Sequence, residues 1–209
     1  MRPTNHAYLV RSLSIAFGLL LLSGIRSVAL DPNRSLREFG HQIWVTETGL
    51  PQNTVQSIAQ TSDGYIWIAT QEGLARFDGL NFMLFTKENT PQLKSNDIRF
   101  LREDTNGALW ISTSYGLIRR HNGQFTTFTT TEGLPDNSIG PTAEDQQHTL
   151  WIATTAGLVS YEGGSFKTYT TREGLASNVI QSLFIRRDGS LLVSTSGGLQ
   201  SFKDKKVTD

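Results

Sequence analysis

Any catalysis or metal binding would rest on four histidines, His6, His41, His121 and His148, and on carboxylates at Asp63, Glu103-Asp104, Glu144-Asp145 and Asp188. An imidazole can ligate a metal or move a proton near neutral pH, but ligand pairs need close spacing on one strand or one helical turn. These histidines stand far apart, with neither H-x-H nor H-x-x-x-H spacing. His148 takes the place of a turn glycine and His121 falls in a neighbouring turn, so both read as solvated loop residues. Asp63 and Asp188 each precede a glycine and could feed a calcium loop. A tight Asp-Gly turn accounts for them without a cation, and Asn106 and Gln147 in the same slot speak against a repeated ligand. Glu103-Asp104 and Glu144-Asp145 are expected to form solvated strand ends. The chain has no cysteine, which removes disulfides, thiolate metal sites and a cysteine nucleophile. No glycine-rich phosphate loop or nucleophile elbow occurs. No catalytic residue, metal or cofactor is expected.

The elements that would position these residues show themselves as a repeat. "DGYIWIATQEGL" (Asp63 to Leu74) returns as "NGALWISTSYGL" (Asn106 to Leu117) and "HTLWIATTAGL" (His148 to Leu158). A fourth copy, "DGSLLVSTSGGL" (Asp188 to Leu199), carries Leu192 where the others carry Trp67, Trp110 and Trp151. The steps are 43, 41 and 41 residues. Thr70, Thr113, Thr154 and Thr195 keep the same phase, as do Gly73, Gly116, Gly157 and Gly198 and the asparagines Asn53, Asn96, Asn137 and Asn178. A period in the low forties is that of four-stranded propeller blades.

Within one unit, "VQSIAQ" and "YIWIAT" are short and rich in β-branched and aromatic residues, and Thr61-Ser62-Asp63-Gly64 joins them as a turn. "LARF" and "NFMLFT" follow around Asp78-Gly79, and no stretch has the length and period of a helix. The fold class is therefore all-β: a β-propeller of four-stranded blades. The expected blades span about 50–90, 93–131, 134–172 and 175–209 within a partial propeller over 39–209, and "HQIWVTE" (41–47) is expected to supply a closing strand to the last blade. An incomplete arc is favoured over a small closed ring. The tryptophans read as wedges between adjacent sheets rather than as a ligand cage, the glycines as sharp turns with positive φ, and the asparagines as loop caps.

Basic residues near the start, an apolar run from Leu13 to Leu22 and small residues at Ser27-Val28-Ala29 read as a secretory signal peptide over 1–29. A periplasmic location follows. Lys plus Arg and Asp plus Glu both number 19, so no basic footprint argues for nucleic acid.

"WIATQEGL", "WISTSYGL" and "WIATTAGL", with "GLPQNTV" and "GLPDNSI" upstream, resemble the two-component regulator propeller repeat over roughly 39–202. The resemblance implies the extracytoplasmic sensor region of membrane histidine kinases, hybrid two-component regulators or some diguanylate cyclases. It implies a non-enzymatic, ligand-sensing module, a fragment without its transmitter, with attachment to the membrane and possible homodimerisation belonging to a longer form.

In a propeller, ligands meet the face formed by the connections between blades and by the turns between second and third strands. Contacts are expected where the copies differ: Gln71 and Glu72, Ser114 and Tyr115, Thr155 and Ala156, with Gln52, Lys94 and Asp136 on neighbouring loops. Tyr115 with Glu72 and Lys94 would suit a polar, sugar-like molecule. The partner is expected to be such a small molecule or a periplasmic protein. A ligand-free interaction scaffold and a secreted lyase or hydrolase are the alternative readings.

Overall fold

Among the described residues sixteen strands alternate with tight turns, and the second strands show why the fold is layered. In the second and third units the segments LWIST and LWIAT are buried along their whole length, which a strand achieves only when both faces of its sheet are covered. In the fourth unit LLVST alternates between buried and half-buried positions. Among the described residues no other blade packs on one face of that sheet.

The computed structural model describes residues 42–208, and the leader read over 1–29 lies outside the described residues. Four antiparallel sheets follow one another. Blade 1 is β1 (Val55–Gln60), β2 (Ile66–Thr70), β3 (Gly73–Phe77) and β4 (Phe82–Phe85). Blade 2 is β5 (Ile98–Glu103), β6 (Leu109–Thr113), β7 (Gly116–His121) and β8 (Gln124–Phe128). Blade 3 is β9 (Ile139–Glu144), β10 (Leu150–Thr154), β11 (Leu158–Glu162) and β12 (Ser165–Tyr169). Blade 4 is β13 (Ile180–Ile185), β14 (Leu191–Thr195), β15 (Gly198–Lys203) and the two-residue β16 (Lys206–Val207). The sheets make a β-propeller in which the first strands β1, β5, β9 and β13 pack in that order. No such packing joins β13 back to β1, so the four blades form an open arc.

Each gap between blades has the same filling. Trp67 packs with Leu109, Ile111 and Ile118 of blade 2. Trp110 packs with Leu150, Ile152 and Val159 of blade 3, and Trp151 with Leu191, Val193 and Phe202 of blade 4. An aromatic from the fourth strand packs on each indole: Phe85 stacks on Trp67 at 5.4 Å and Phe128 on Trp110 at 6.0 Å, and Tyr169 tilts against Trp151 at 5.7 Å between centroids. Such pairs bury large apolar areas in offset geometry.

The closing strand expected over 41–47 does not form among the described residues. Gln42–Val45 carries no strand, Thr46–Thr48 is a 3-10 turn, and β16 takes the fourth place in the last sheet. The reason lies in the sequence phase: Val45 stands at the start of its turn where Thr129 and Thr170 stand in theirs, though without a side-chain hydrogen bond. The segment therefore behaves as the end of a blade followed by a connection, and Trp44 packs edge-on against Phe77 of blade 1 at 5.2 Å.

The turns between second and third strands explain the repeated glycine. Gly157 has φ 146°, and a Cβ there would stand 2.7 Å from the carbonyl oxygen of Tyr169 on the outer strand. Gly116 has the same conflict with Phe128 at 2.8 Å. Gly198 keeps the positive φ, 131°, but meets nothing, because β16 is short. There only the backbone conformation demands glycine.

Candidate functional site

The upper rim is built from short, rigid parts. In every blade the repeated threonine bridges its own turn: Oγ1 of Thr70, Thr113, Thr154 and Thr195 donates to the carbonyl of Gly73, Gly116, Gly157 and Gly198 at 2.8, 2.8, 2.7 and 3.1 Å. The repeated asparagines act across the connections between blades. Oδ1 of Asn53, Asn96, Asn137 and Asn178 accepts the N–H of Thr46, Lys87, Thr130 and Thr171 at 2.7–2.9 Å. In two connections a capping box adds to this, with Glu132 accepting from Thr129 and Glu173 from Thr170. Both carboxyls are held below the ordinary glutamate range, Glu132 chiefly by the Thr129 hydroxyl and Glu173 chiefly by the Thr170 amide.

The residues expected to contact ligand fall on this rim, and four of them meet one another in two pairs 19 residues apart. Gln52 Oε1 accepts the Gln71 N–H at 3.2 Å, and the Ser114 hydroxyl meets that of Ser95 at 2.7 Å. The Thr155 hydroxyl donates to Asp136. Burial works against the Asp136 charge, but hydrogen bonds from Thr155 and from the Ser138 amide hold its carboxyl below the usual range. Glu72, Lys94 and Tyr115 remain exposed, Tyr115 by 52%.

A group that the loops did not disclose lies just inside this rim. Asp97, Arg99 and Phe100 on β5 and its approach, with Gln56 and Gln71, line an open pocket of about 370 Å³ between blades 1 and 2. Arg99 is oriented from two sides: Nε donates to Asp97 Oδ2 at 3.1 Å and Nη1 to Ser138 Oγ of the next blade at 2.9 Å. Phe100 is 38% exposed. A fixed guanidinium, two amides, a carboxylate and an aromatic face can together bind hydroxyls and the apolar face of a ring. The readable signal was a difference between copies: Gln56, Gly140 and Gln181 stand where Arg99 does.

The lower rim corrects the reading of the acidic pairs. Glu103 is no free strand end, since it accepts the N–H and hydroxyl of Ser62 from blade 1 at 2.9 and 2.8 Å. Glu144 does the same for Thr105 of blade 2 at 2.9 and 2.6 Å. His148 Nδ1, expected to be solvated, lies 2.8 Å from the Thr105 hydroxyl and 3.3 Å from Glu144. Its side chain is still largely exposed. Asp104 and Asp145 accept the indole N–H of Trp110 and Trp151, both at 2.7 Å. Pockets recur here between successive blades, the one between blades 3 and 4 again about 370 Å³. Among the described residues no three His, Cys, Asp or Glu side chains are grouped to hold a metal.

The two-component regulator propeller model matches residues 49–72 and 92–115, which are the first two connections with their first two strands. Among solved structures, the extracellular domain of the putative hybrid two component system BT3049 from B. thetaiotaomicron is similar at 25% identity and TM-score 0.70, covering 76% of this chain and 23% of that one. The extracellular domain of BT4673 from the same organism is similar at 23% identity and TM-score 0.65, with 79% and 26% covered. Virginiamycin B lyase from Staphylococcus aureus, at 14% identity and TM-score 0.60 with 77% and 56% covered, shares the fold. No curated protein matches. The chain spans about a quarter of the length of the two sensor domains. Its repeats, four-stranded blades and the two matched segments are similar to those of the two-component regulator propeller family.

Proposed function

We propose that the chain is the exported recognition module of a two-component sensor and that it binds a polar, hydroxyl-rich molecule of carbohydrate type at its upper rim. The likeness to extracellular domains of hybrid two-component systems supports the class and the exported location. The observation that carries the site is Arg99, held by Asp97 and Ser138 beside Gln56, Gln71 and Phe100. A guanidinium tethered on two sides has little freedom left to lose on binding, and such preorganisation favours affinity. Tyr115, Glu72 and Lys94 stand on the same rim as further contacts. Occupancy would bridge blades 1, 2 and 3 and so bias their packing, the change a transmitter across the membrane would read.

Titration calorimetry with a panel of neutral oligosaccharides tests this. Binding by at least one member is expected, and Arg99→Ala should weaken it about tenfold or more, in line with a charged hydrogen-bonding group. A panel without a binder, or an Arg99→Ala variant that binds as well as the parent, contradicts the assignment.

A further inference from the structure

The gap between blades 1 and 2 departs from the repeat on both of its walls. On the third strand, blades 1, 3 and 4 carry an aromatic in one and the same seat: Phe77, Tyr161 and Phe202. Tyr161 packs on Trp110 of the preceding blade and Phe202 on Trp151, both at 5.3 Å. Blade 2 places Arg120 in that seat, with its guanidinium 4.8 Å from the ring of Trp67 and 6.0 Å from that of Phe125. The acidic residue of the first turn has moved as well. Asp104 and Asp145 are used by the indole N–H and by amides of their own turns. Blade 1 has Thr61 in that place and its carboxylate two residues on, at Asp63. The Thr61 hydroxyl accepts the Trp67 indole N–H at 3.1 Å and donates to Asp63 Oδ1 at 2.5 Å.

These changes set opposite charges around one cavity without joining them. Asp63, Glu103 and Arg120 line a lower-rim pocket of about 300 Å³. Among the described residues no acceptor meets the half-buried Arg120 guanidinium. Burial and the like charge of Arg76 lower it from its ordinary value, and the charge of Asp63 acts in the opposite direction. Asp63 Oδ1 accepts from Thr61 and from the Tyr65 amide, and no described residue donates to Oδ2. Glu103 is held by Ser62 through both of its oxygens. His121 lines the same pocket, and its buried Nδ1 has no hydrogen-bond partner among the described residues. A contact with an indole uses the face of a guanidinium and leaves the N–H edge open. That edge is a fork of donors whose geometry matches a carboxylate.

We infer that this pocket binds the zwitterionic head of a free α-amino acid, with its carboxylate forked on Arg120 and its ammonium against Asp63. A ligand that carries both charges completes both groups at once. A multiply charged anion would meet the carboxylates of Asp63 and Glu103, and a simple cation would meet Arg120 with Arg76 behind it, each at the cost of like-charge repulsion. The site lies on the opposite rim from Arg99, between blades 1 and 2 alone, and is independent of the recognition proposed there.

Titration calorimetry of the full chain with each of the free L-amino acids of proteins tests this, and at least one of them should bind. The amide of that amino acid, which lacks the carboxylate, and its N-acetyl form, which lacks the ammonium, should each bind about tenfold or more weakly, as expected when one charge-assisted contact is lost. Arg120→Tyr restores the ring that blade 3 carries in this seat, so it should fold as stably as the parent and bind about tenfold or more weakly. Asp63→Asn, at an exposed position, removes the second charge without touching the gap between the blades and should weaken binding likewise. No binder among the amino acids, an amide or N-acetyl form as tight as the free amino acid, or a folded Arg120→Tyr or Asp63→Asn protein that binds as the parent does overturns the inference.

Discussion

The indole N–H of Trp110 donates to Oδ2 of Asp104 at 2.7 Å, across one turn and six residues of chain. The other carboxylate oxygen of Asp104 accepts the N–H of Asn106 and of Ala108, both at 2.9 Å. One side chain therefore closes the first hairpin and satisfies the polar atom of the wedge. Asp145 and Trp151 repeat the arrangement. In blade 4 both members are gone together, Arg186 and Leu192 standing in their places.

Asp104→Ala should cost about 2 kcal/mol or more, the range for a hydrogen bond to a charged group with a buried donor left unpaired. Asp104→Asn keeps an acceptor and should lose roughly half as much. Trp110→Ala, which also opens a cavity, should cost about 3 to 5 kcal/mol. Urea unfolding monitored by circular dichroism gives the three values, and equal losses for Ala and Asn at Asp104 would contradict the pairing.

Glycine at the second turn should matter unequally. Gly157→Ala forces a Cβ to 2.7 Å from the Tyr169 carbonyl oxygen, whereas Gly198→Ala meets nothing. The second change should cost about 1 kcal/mol from backbone strain alone, and the first at least about 2 kcal/mol. Equal melting temperatures for the two variants would show that the outer strand does not approach the turn as described.

The capping boxes predict a direction with pH. Glu132 and Glu173 are held below their ordinary value of 4.5 in the folded chain by Thr129 and Thr170. A depressed folded value means stability that is present above the unfolded value and lost as pH falls through the folded one. The parent should therefore melt lower as pH drops below about 4.5. Glu132→Gln with Glu173→Gln should flatten that fall and lower the melting temperature near neutrality. An identical acid limb in parent and double variant contradicts this.

The fold was legible because its signals recur. Tryptophan, threonine, glycine and asparagine each return in phase, and every one of them does the same mechanical job in each copy that carries it. Asp104 and Glu103 were not legible in the same way, since a carboxylate beside a turn looks solvated until the hairpin curls back and the previous blade arrives. The spacing did hold a clue: Ser62 and Glu103 lie 41 residues apart, one repeat, so contact between neighbouring units was implied. Phase alone puts Gln52, Gln71, Ser114, Asp136 and Thr155 on rim loops, but it does not disclose that Gln52 meets Gln71, Asp136 meets Thr155 and Ser114 meets Ser95. Arg99 was not legible among the loops, because the difference between copies that marks it lies in a first strand. The expected closing strand is absent among the described residues because β16 already fills the fourth place in the last sheet.

Hydrogen exchange with and without the best-binding neutral oligosaccharide tests recognition at the upper rim most directly. Protection is expected at 71–72, 97–100 and 114–115, and none in the lower-rim turns at 145–149 and 203–205. Protection confined to the lower rim, or a pattern unchanged by saturating oligosaccharide, would contradict the account.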